Sequence, residues 1–286
     1  MSDPFQDVDS AGIEFAENTA KTMEIRQSEP VMEKIVKDYL DELEFTHRKL
    51  TIEIGCGPGA ISRRISNYAS GSKVIGFDPA KNYIDIARNH SEHLPNLSFE
   101  VFDGRRIPLD DGTVDNVIMH TVLSHVIDPS RLMGEAYRLL GRGGKLVICD
   151  ADFSKATLAS SQDDPLSLAS SYFVRSHVTD PHLLRKIEPL CARAGFVSDK
   201  FDMASRVVTG NGMRMWVEVA AKAMVESNDI SPALGEALVA EYDHRVKEQK
   251  LYGFLPFFTF ISKKPDTIMS FKCLLRIDDL HRRVMP

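Results

Sequence analysis

The chain has 286 residues, 43% of them hydrophobic and 27% charged, which is enough apolar material for a sizeable core and excludes a disordered or fibrous protein. A formal net charge of −6 and a pI near 5.9 exclude the basic field that holds nucleic acid by its phosphates or an anionic membrane surface. The four cysteines, Cys56, Cys149, Cys191 and Cys273, have no CxxC spacing, which argues against a zinc site and a disulfide framework alike.

No apolar run approaches the length of a membrane helix, and the start Met1, Ser2, Asp3, Pro4 is acidic where a signal peptide is basic, so a cytoplasmic protein is expected. Residues 1–45 predict two helices, one around 11–23 and one over 30–43 whose Val31, Ile35, Val36, Tyr39 and Leu40 share a face. A core over 46–209 follows. A β-branched strand at 50–54 runs into Gly55, Cys56, Gly57, Pro58 and Gly59, and an amphipathic stretch at 61–68 completes a strand, loop and helix. Such a turn lets a ligand approach the backbone, and the first helical N–H groups favour an anion.

A second strand, 74–77, ends in Asp78 and Pro79, and a third, 97–102, ends in Asp103 and Gly104. Two acids at successive strand ends suit a nucleoside, one for the ribose hydroxyls and one for a base amino group. Asp78 is expected at an open strand end, where its loss would barely affect folding. A buried fourth strand at 113–119 is followed by His120, Thr121, Ser124 and His125. Asp128 and Pro129 cap a helix through Leu140, and residues 141–144 turn the chain into a fifth strand at 145–149, followed by Asp150 and Asp152.

Residues 151–171, rich in Ser, Ala and Asp, read as a loop and a short helix. Another helix runs from Asp180 to about Ala194, and a sixth strand lies within 196–208. An insertion at 210–250 holds helical stretches at 213–226 and 232–250, and a Phe-rich last strand at 254–262 lies within 251–265. The tail, 266–286, carries Ile268, Phe271, Leu274 and Leu275 at helical spacing, available to dock on its own chain or a partner.

Strands alternating with helices predict an α/β fold with a doubly wound parallel sheet, whose ligand lies beyond the carboxyl ends of the strands. The glycine turn alone serves nicotinamide dehydrogenases equally well. Several ordered strings are more specific. TIEIGCGPGAISR, VIGFDPAKNYIDIAR and FEVFDGRRIPLDDGTVDNVIMHTVLSHVIDPSRLMGEAYRLLGRGGKLVICD resemble, in that order, the core of class I S-adenosylmethionine (AdoMet) dependent methyltransferases of the small-molecule, domain 11/25-like type. The resemblance covers residues 50–152 strongly and the rest loosely.

It implies a Rossmann-like seven-stranded sheet in the order 3-2-1-4-5-7-6 with the last strand antiparallel, an N-terminal helical cap, and AdoMet as cofactor with S-adenosylhomocysteine as product. Glu53, Gly55, Cys56, Gly57, Pro58, Gly59, Asp78, Pro79, Asp103, Gly104 and His120 are the candidate cofactor residues. Arg26, His125, Asp150 and Trp216 are the candidate acceptor residues, with His125 also the candidate general base.

Methyl transfer from a sulfonium is a direct displacement, so a base matters only where the acceptor sheds a proton. Against that role for His125 stands a structural hydrogen bond at a helix start, and for His120 packing at the cofactor's edge. Cys56 reads as a small residue rather than a nucleophile. His90 and His93 bracket Glu92 at a metal-ligand spacing, yet end a polar helix where histidines also suit the helix dipole, and no metal is expected. HTVLSH stands where amino-methylating enzymes of adenine or glutamine carry Asn-Pro-Pro-Tyr or Asp-Pro-Pro-Tyr. A small organic acceptor is therefore expected, methylated on O, N or C, with no nucleic-acid or membrane partner and a homodimer left open.

The alternatives are a nicotinamide enzyme, a cyclising or rearranging enzyme on the same scaffold, and a regulatory module that holds AdoMet without transferring methyl. Finally, Met213, Trp216, Val217, Ala220 and Met224 form one apolar face, which predicts that the insertion is a lid over the acceptor, against the alternative of fixed packing on the sheet.

Overall fold

The computed structural model describes residues 3–46, 49–103 and 106–266. Its strands are β1 (Leu50–Ile54), β2 (Lys73–Asp78), β3 (Leu97–Val101), β4 (Val114–His120), β5 (Leu140–Ala151), β6 (Val197–Val208) and β7 (Gly253–Lys263). They form one sheet in the order β3-β2-β1-β4-β5-β7-β6. The first five pair in parallel, while β7 runs antiparallel to both β5 and β6. Both the order and the antiparallel last strand are as the resemblance implied.

Three helices precede the sheet: α1 (Val8–Ala11), α2 (Ile13–Gln27) and α3 (Pro30–Asp41). The connections contain α4 (Ala60–Tyr68), α5 (Lys81–Asn89), α6 (Pro129–Leu139), α7 (Leu166–His177), α8 (Ile187–Ala194), α9 (Arg214–Glu226) and α10 (Pro232–Lys247). Because side chains alternate across a strand, the central strands feed two cores. Ile118, Val147 and Ile261 join the one containing α3, α7 and α9, and Val117, Ile148 and Phe260 join the one containing α6 and α8. Each such side chain, fully buried, contributes about 1.5 to 3 kcal/mol. All the catalytic candidates stand at the carboxyl edge above this support.

Two stretches depart from the sequence reading. Residues 141–144 are not a turn before the fifth strand but part of it: β5 starts at Leu140, opposite Val114, with a register shift between Val114 and Asn116. Glycine is needed there because a Cβ at Gly144 would lie 2.9 Å from the Gly141 carbonyl oxygen and 3.0 Å from that of Asp115. The short helix expected within 151–171 is instead α7, running to His177, with Leu166, Ala169, Tyr172 and Phe173 buried. Its serines hid a buried face at intervals of three and four. The apolar tail positions Ile268, Phe271, Leu274 and Leu275, with Cys273, lie outside the described residues.

Candidate active site

The turn from β1 into α4 is bound to the end of β2. Gly55 and Cys56 donate their N–H groups to the Phe77 carbonyl at 2.7 and 3.0 Å, and Gly57 N–H donates to Asp78 Oδ2 at 2.8 Å. Asp78 Oδ1 accepts from Ala80 N–H at 2.9 Å. Gly57 has φ of +51°, and a side chain there would point at Met23 Sδ, 3.7 Å away, and into the space a ligand would use. Asp78 is 7% exposed, not open as its strand-end position suggested. Burial raises its pKa to about 6, against the two backbone donors that lower it.

Glu53 is buried beneath the same turn and accepts a hydrogen bond from Ser62 Oγ. Burial pushes its pKa up to about 8, with the Ser62 hydroxyl opposing and Asp78 adding to the rise. The folded chain thus holds an extra proton between the ordinary glutamate pKa and about 8, and stability falls as pH rises through that window. Glu53→Gln should therefore gain on wild type in urea unfolding, by on the order of a few kcal/mol, between pH 5 and pH 9. A difference independent of pH would show that Glu53 ionises as readily folded as unfolded.

Glu53, Gly55, Cys56, Gly57, Pro58, Asp78, Pro79, Asp103 and His120 all line one cavity of about 710 Å³, and so do Arg26, His125 and Trp216. Gly104 lies outside the described residues. Two candidates do not belong to the lining. Gly59 is the left-handed N-cap of α4, and a Cβ on it would meet Phe99 Cζ at 2.7 Å, so its smallness serves packing against β3. Asp150 is fully buried, its oxygens taken by Ser124 N–H, Ser124 Oγ and Ala151 N–H at 3.2, 2.8 and 2.8 Å. It fixes the segment that carries His125 instead of meeting an acceptor. Cys56 is a buried thiol raised well above its ordinary pKa by desolvation, which suits a small filler and not a nucleophile.

The two histidines beyond β4 differ. His120 is buried, with Nε2 3.1 Å from Gln27 Nε2 and Nδ1 3.3 Å from Tyr39 Oη. Arg64 donates to Gln27 Oε1, so the Gln27 amide NH₂ faces His120, and an amide donor at Nε2 leaves the ring proton on Nδ1. Burial, and then Arg26, hold its pKa well below the usual range, and it stays neutral. His125 has Nδ1 2.8 Å from Asp3 Oδ2, and its ring packs against Phe5 and Phe153 at 4.9 and 5.9 Å between centroids. Thr179 Oγ1 donates to Asp3 Oδ2 at 3.0 Å and in turn accepts from Gln6 at 2.6 Å. Asp3 thereby fixes the ring and leaves Nε2 as the nitrogen available to a proton.

The rest of the wall is aromatic and cationic. Trp216 stacks on Phe173 at 4.3 Å and 6°, and on Phe153 at 5.8 Å and 28°. Arg26 donates Nη2 to Thr121 Oγ1 at 3.1 Å, and Arg206, 1% exposed, grips Glu29 through Nε and Nη2 at 2.6 Å each.

These features meet a known pattern. Residues 52–148 match the methyltransferase domain family. Over those residues the chain is similar to methyltransferase domains. An uncharacterized 37.1 kDa protein of a Streptomyces fradiae transposon is 32% identical over 212 residues, 65% of this chain and 60% of that protein. The ubiquinone biosynthesis O-methyltransferase of Coxiella burnetii is 29% identical over 109 residues, 38% of this chain and 46% of that enzyme. The chain thus spans less than two thirds of the length of either. The crystal structure of the 4+2 cyclase SpnF shares the fold, with a TM-score of 0.56, 15% identity and 82% of each chain covered. Among the described residues, no helix is long and apolar enough to cross a membrane.

Reading the sequence missed Asp3, Phe5, Phe173 and Arg206 in the lining or supporting shell. The period-two pattern of β6 points the wrong way for Arg206: the apolar alternate residues Phe201, Met203 and Val207 are 48%, 52% and 49% exposed, while Arg206 and Val208 are buried.

Proposed function

We propose that the chain transfers the methyl group of AdoMet to a small organic acceptor. The observation that carries this reading is one continuous cavity in which nucleoside-type acids and a glycine turn line one end, while an Asp3-oriented His125 and stacked aromatics line the other. AdoMet, when bound, supplies a methyl on a sulfonium, ready for direct displacement. Asp78 and Asp103 would hold its nucleoside, and Glu53 and the turn its amino-acid portion. His125 would accept the proton of an acceptor that must lose one, and Phe5, Phe153 and Trp216 would keep water out. Positioning of this kind contributes on the order of 7 to 11 kcal/mol where it is good.

The shared fold of a cyclase leaves a role for bound AdoMet without transfer as the second reading, and the His125–Asp3 pair favours transfer. Incubation with methyl-labelled AdoMet and a small-metabolite extract should put label into an organic product. Cofactor bound with no label in any acceptor would support the second reading.

Within this reading, residues 1–45 act as a cap, residues 210–250 as a lid, and the described part of the chain as a cytoplasmic enzyme, with self-association as a homodimer to be tested. Trp216 on α9, the only tryptophan, reports on the lid. Its fluorescence should change when acceptor joins the cofactor complex, and proteolysis near Asn211 or Asn228 should slow. Indifference of both would make α9 and α10 plain scaffold.

A further inference from the structure

Of the three arginines that line the cavity, Arg131 is exposed and Arg206 is paired with Glu29, which leaves Arg26 as a desolvated charge that the cofactor reading does not use. Arg26 reaches in from α2, with its guanidinium 6.0 Å from the Phe257 ring centroid on β7. Its only hydrogen bond among the described residues is to a neutral hydroxyl, that of Thr121, and its Nε is screened from water without a partner. The residue is half-buried overall, but the guanidinium is desolvated enough that its pKa falls to about 10, burial being the first cause and the neighbouring Arg206 the second. Arg26 and Arg206 thus lie near each other in the lining of the cavity. Glu29 neutralises Arg206 bidentately, and no described carboxylate forms an ion pair with Arg26. A desolvated charge without a counterion is costly, and a planar fork with free donors matches a carboxylate.

Resting on the methyltransferase reading, we propose that the acceptor carries a carboxylate, received by Arg26 beside Arg206, with an aromatic or apolar body against Phe153, Phe173 and Trp216. The position of Arg206 sets the far end of this anion site apart from the cofactor-type acids. Arg206 stands on β6, three strands from β4, or roughly 14 Å across the sheet at about 4.8 Å per strand. The cofactor-type acids belong to β1, β2 and the end of β3, on the other side of β4. Arg26 lies between the two, bonded to Thr121 just past β4 and 6.0 Å from the Phe257 ring centroid on β7. The stacked aromatics adjoin this half of the cavity, so a flat acid would bury its ring and present its charge to the guanidinium. The methylated atom then lies away from the carboxylate, toward His125.

The test uses the full chain saturated with S-adenosylhomocysteine, whose binding is first established by calorimetry, so that failure of the cofactor reading is seen separately. Trp216 fluorescence is titrated with 3-phenylpropanoate and with the uncharged 3-phenylpropanamide. The acid should bind at least about tenfold more tightly than the amide, as expected for a charge-assisted pair. Arg26→Gln should remove about that factor from the acid alone, leaving S-adenosylhomocysteine within about twofold, and Arg26→Lys should restore part of it. Equal binding of acid and amide, or no saturable response to the acid, overturns the proposal. So does a loss in Arg26→Gln of S-adenosylhomocysteine binding with 5′-methylthioadenosine unaffected, which would assign Arg26 to the cofactor's carboxylate.

Discussion

Replacing His125 by alanine is expected to lower turnover by about a hundredfold or more while S-adenosylhomocysteine binds as before. The reason lies in the geometry around the ring. Nδ1 is held by Asp3 Oδ2 at 2.8 Å, and Phe5 and Phe153 flank the imidazole, so the ring is held in one orientation, as a base in this role requires. A paired carboxylate also stabilises the imidazolium that forms once a proton has been taken. Asp3→Asn keeps the shape and removes that charge, and should lower turnover too, with KM for the acceptor little changed. If His125→Ala instead raises KM and leaves kcat intact, the ring only orients the acceptor.

Asp78→Ala is expected to weaken S-adenosylhomocysteine binding by at least about tenfold, because hydrogen bonds to an ionised carboxylate contribute about 1.5 to 3 kcal/mol each. It should also destabilise the fold, contrary to what an open strand end would suggest. Removing the carboxylate orphans the buried N–H groups of Gly57 and Ala80, a cost of about 1 to 3 kcal/mol each where no water replaces it. The binding arm has a pH signature. With the pKa of Asp78 raised to about 6 by burial, the carboxylate is charged at neutral pH and protonated below that value. Affinity for S-adenosylhomocysteine in wild type should thus decline as pH falls through about 6, and the decline should be absent in Asp78→Asn. Parallel curves for the two proteins would remove Asp78 from the site.

The parts of the site that the sequence disclosed are those set by local rules. A β-branched run, a glycine turn and an acid at the next strand end lie within a few residues of one another, and their positions follow from strand period and turn chemistry. Asp3 beside His125 is different, since the two are separated by most of the first half of the chain and meet only because the residues ahead of α1 cross the carboxyl edge of the sheet. Arg206 and Glu29 are likewise brought together by packing of α3 against β6. Asp150 was misplaced for a complementary reason: an acid just past a strand looks the same in sequence whether its oxygens face a ligand or, as here, are consumed by Ser124 and Ala151. Gly59 shows the same limit, as a glycine required by Phe99 reads like one required by a cofactor. The hidden face of α7, which supplies Phe173 to the cavity, was masked because it includes Ser170, while the apolar Leu168 faces out.

The claim on which the functional account stands is that this cavity is an AdoMet site. Isothermal titration of the full chain with S-adenosylhomocysteine and, separately, with NAD tests it most directly. The account predicts micromolar binding of S-adenosylhomocysteine, weakened in Asp78→Asn, and no heat from NAD. Binding of NAD with none of S-adenosylhomocysteine would contradict it.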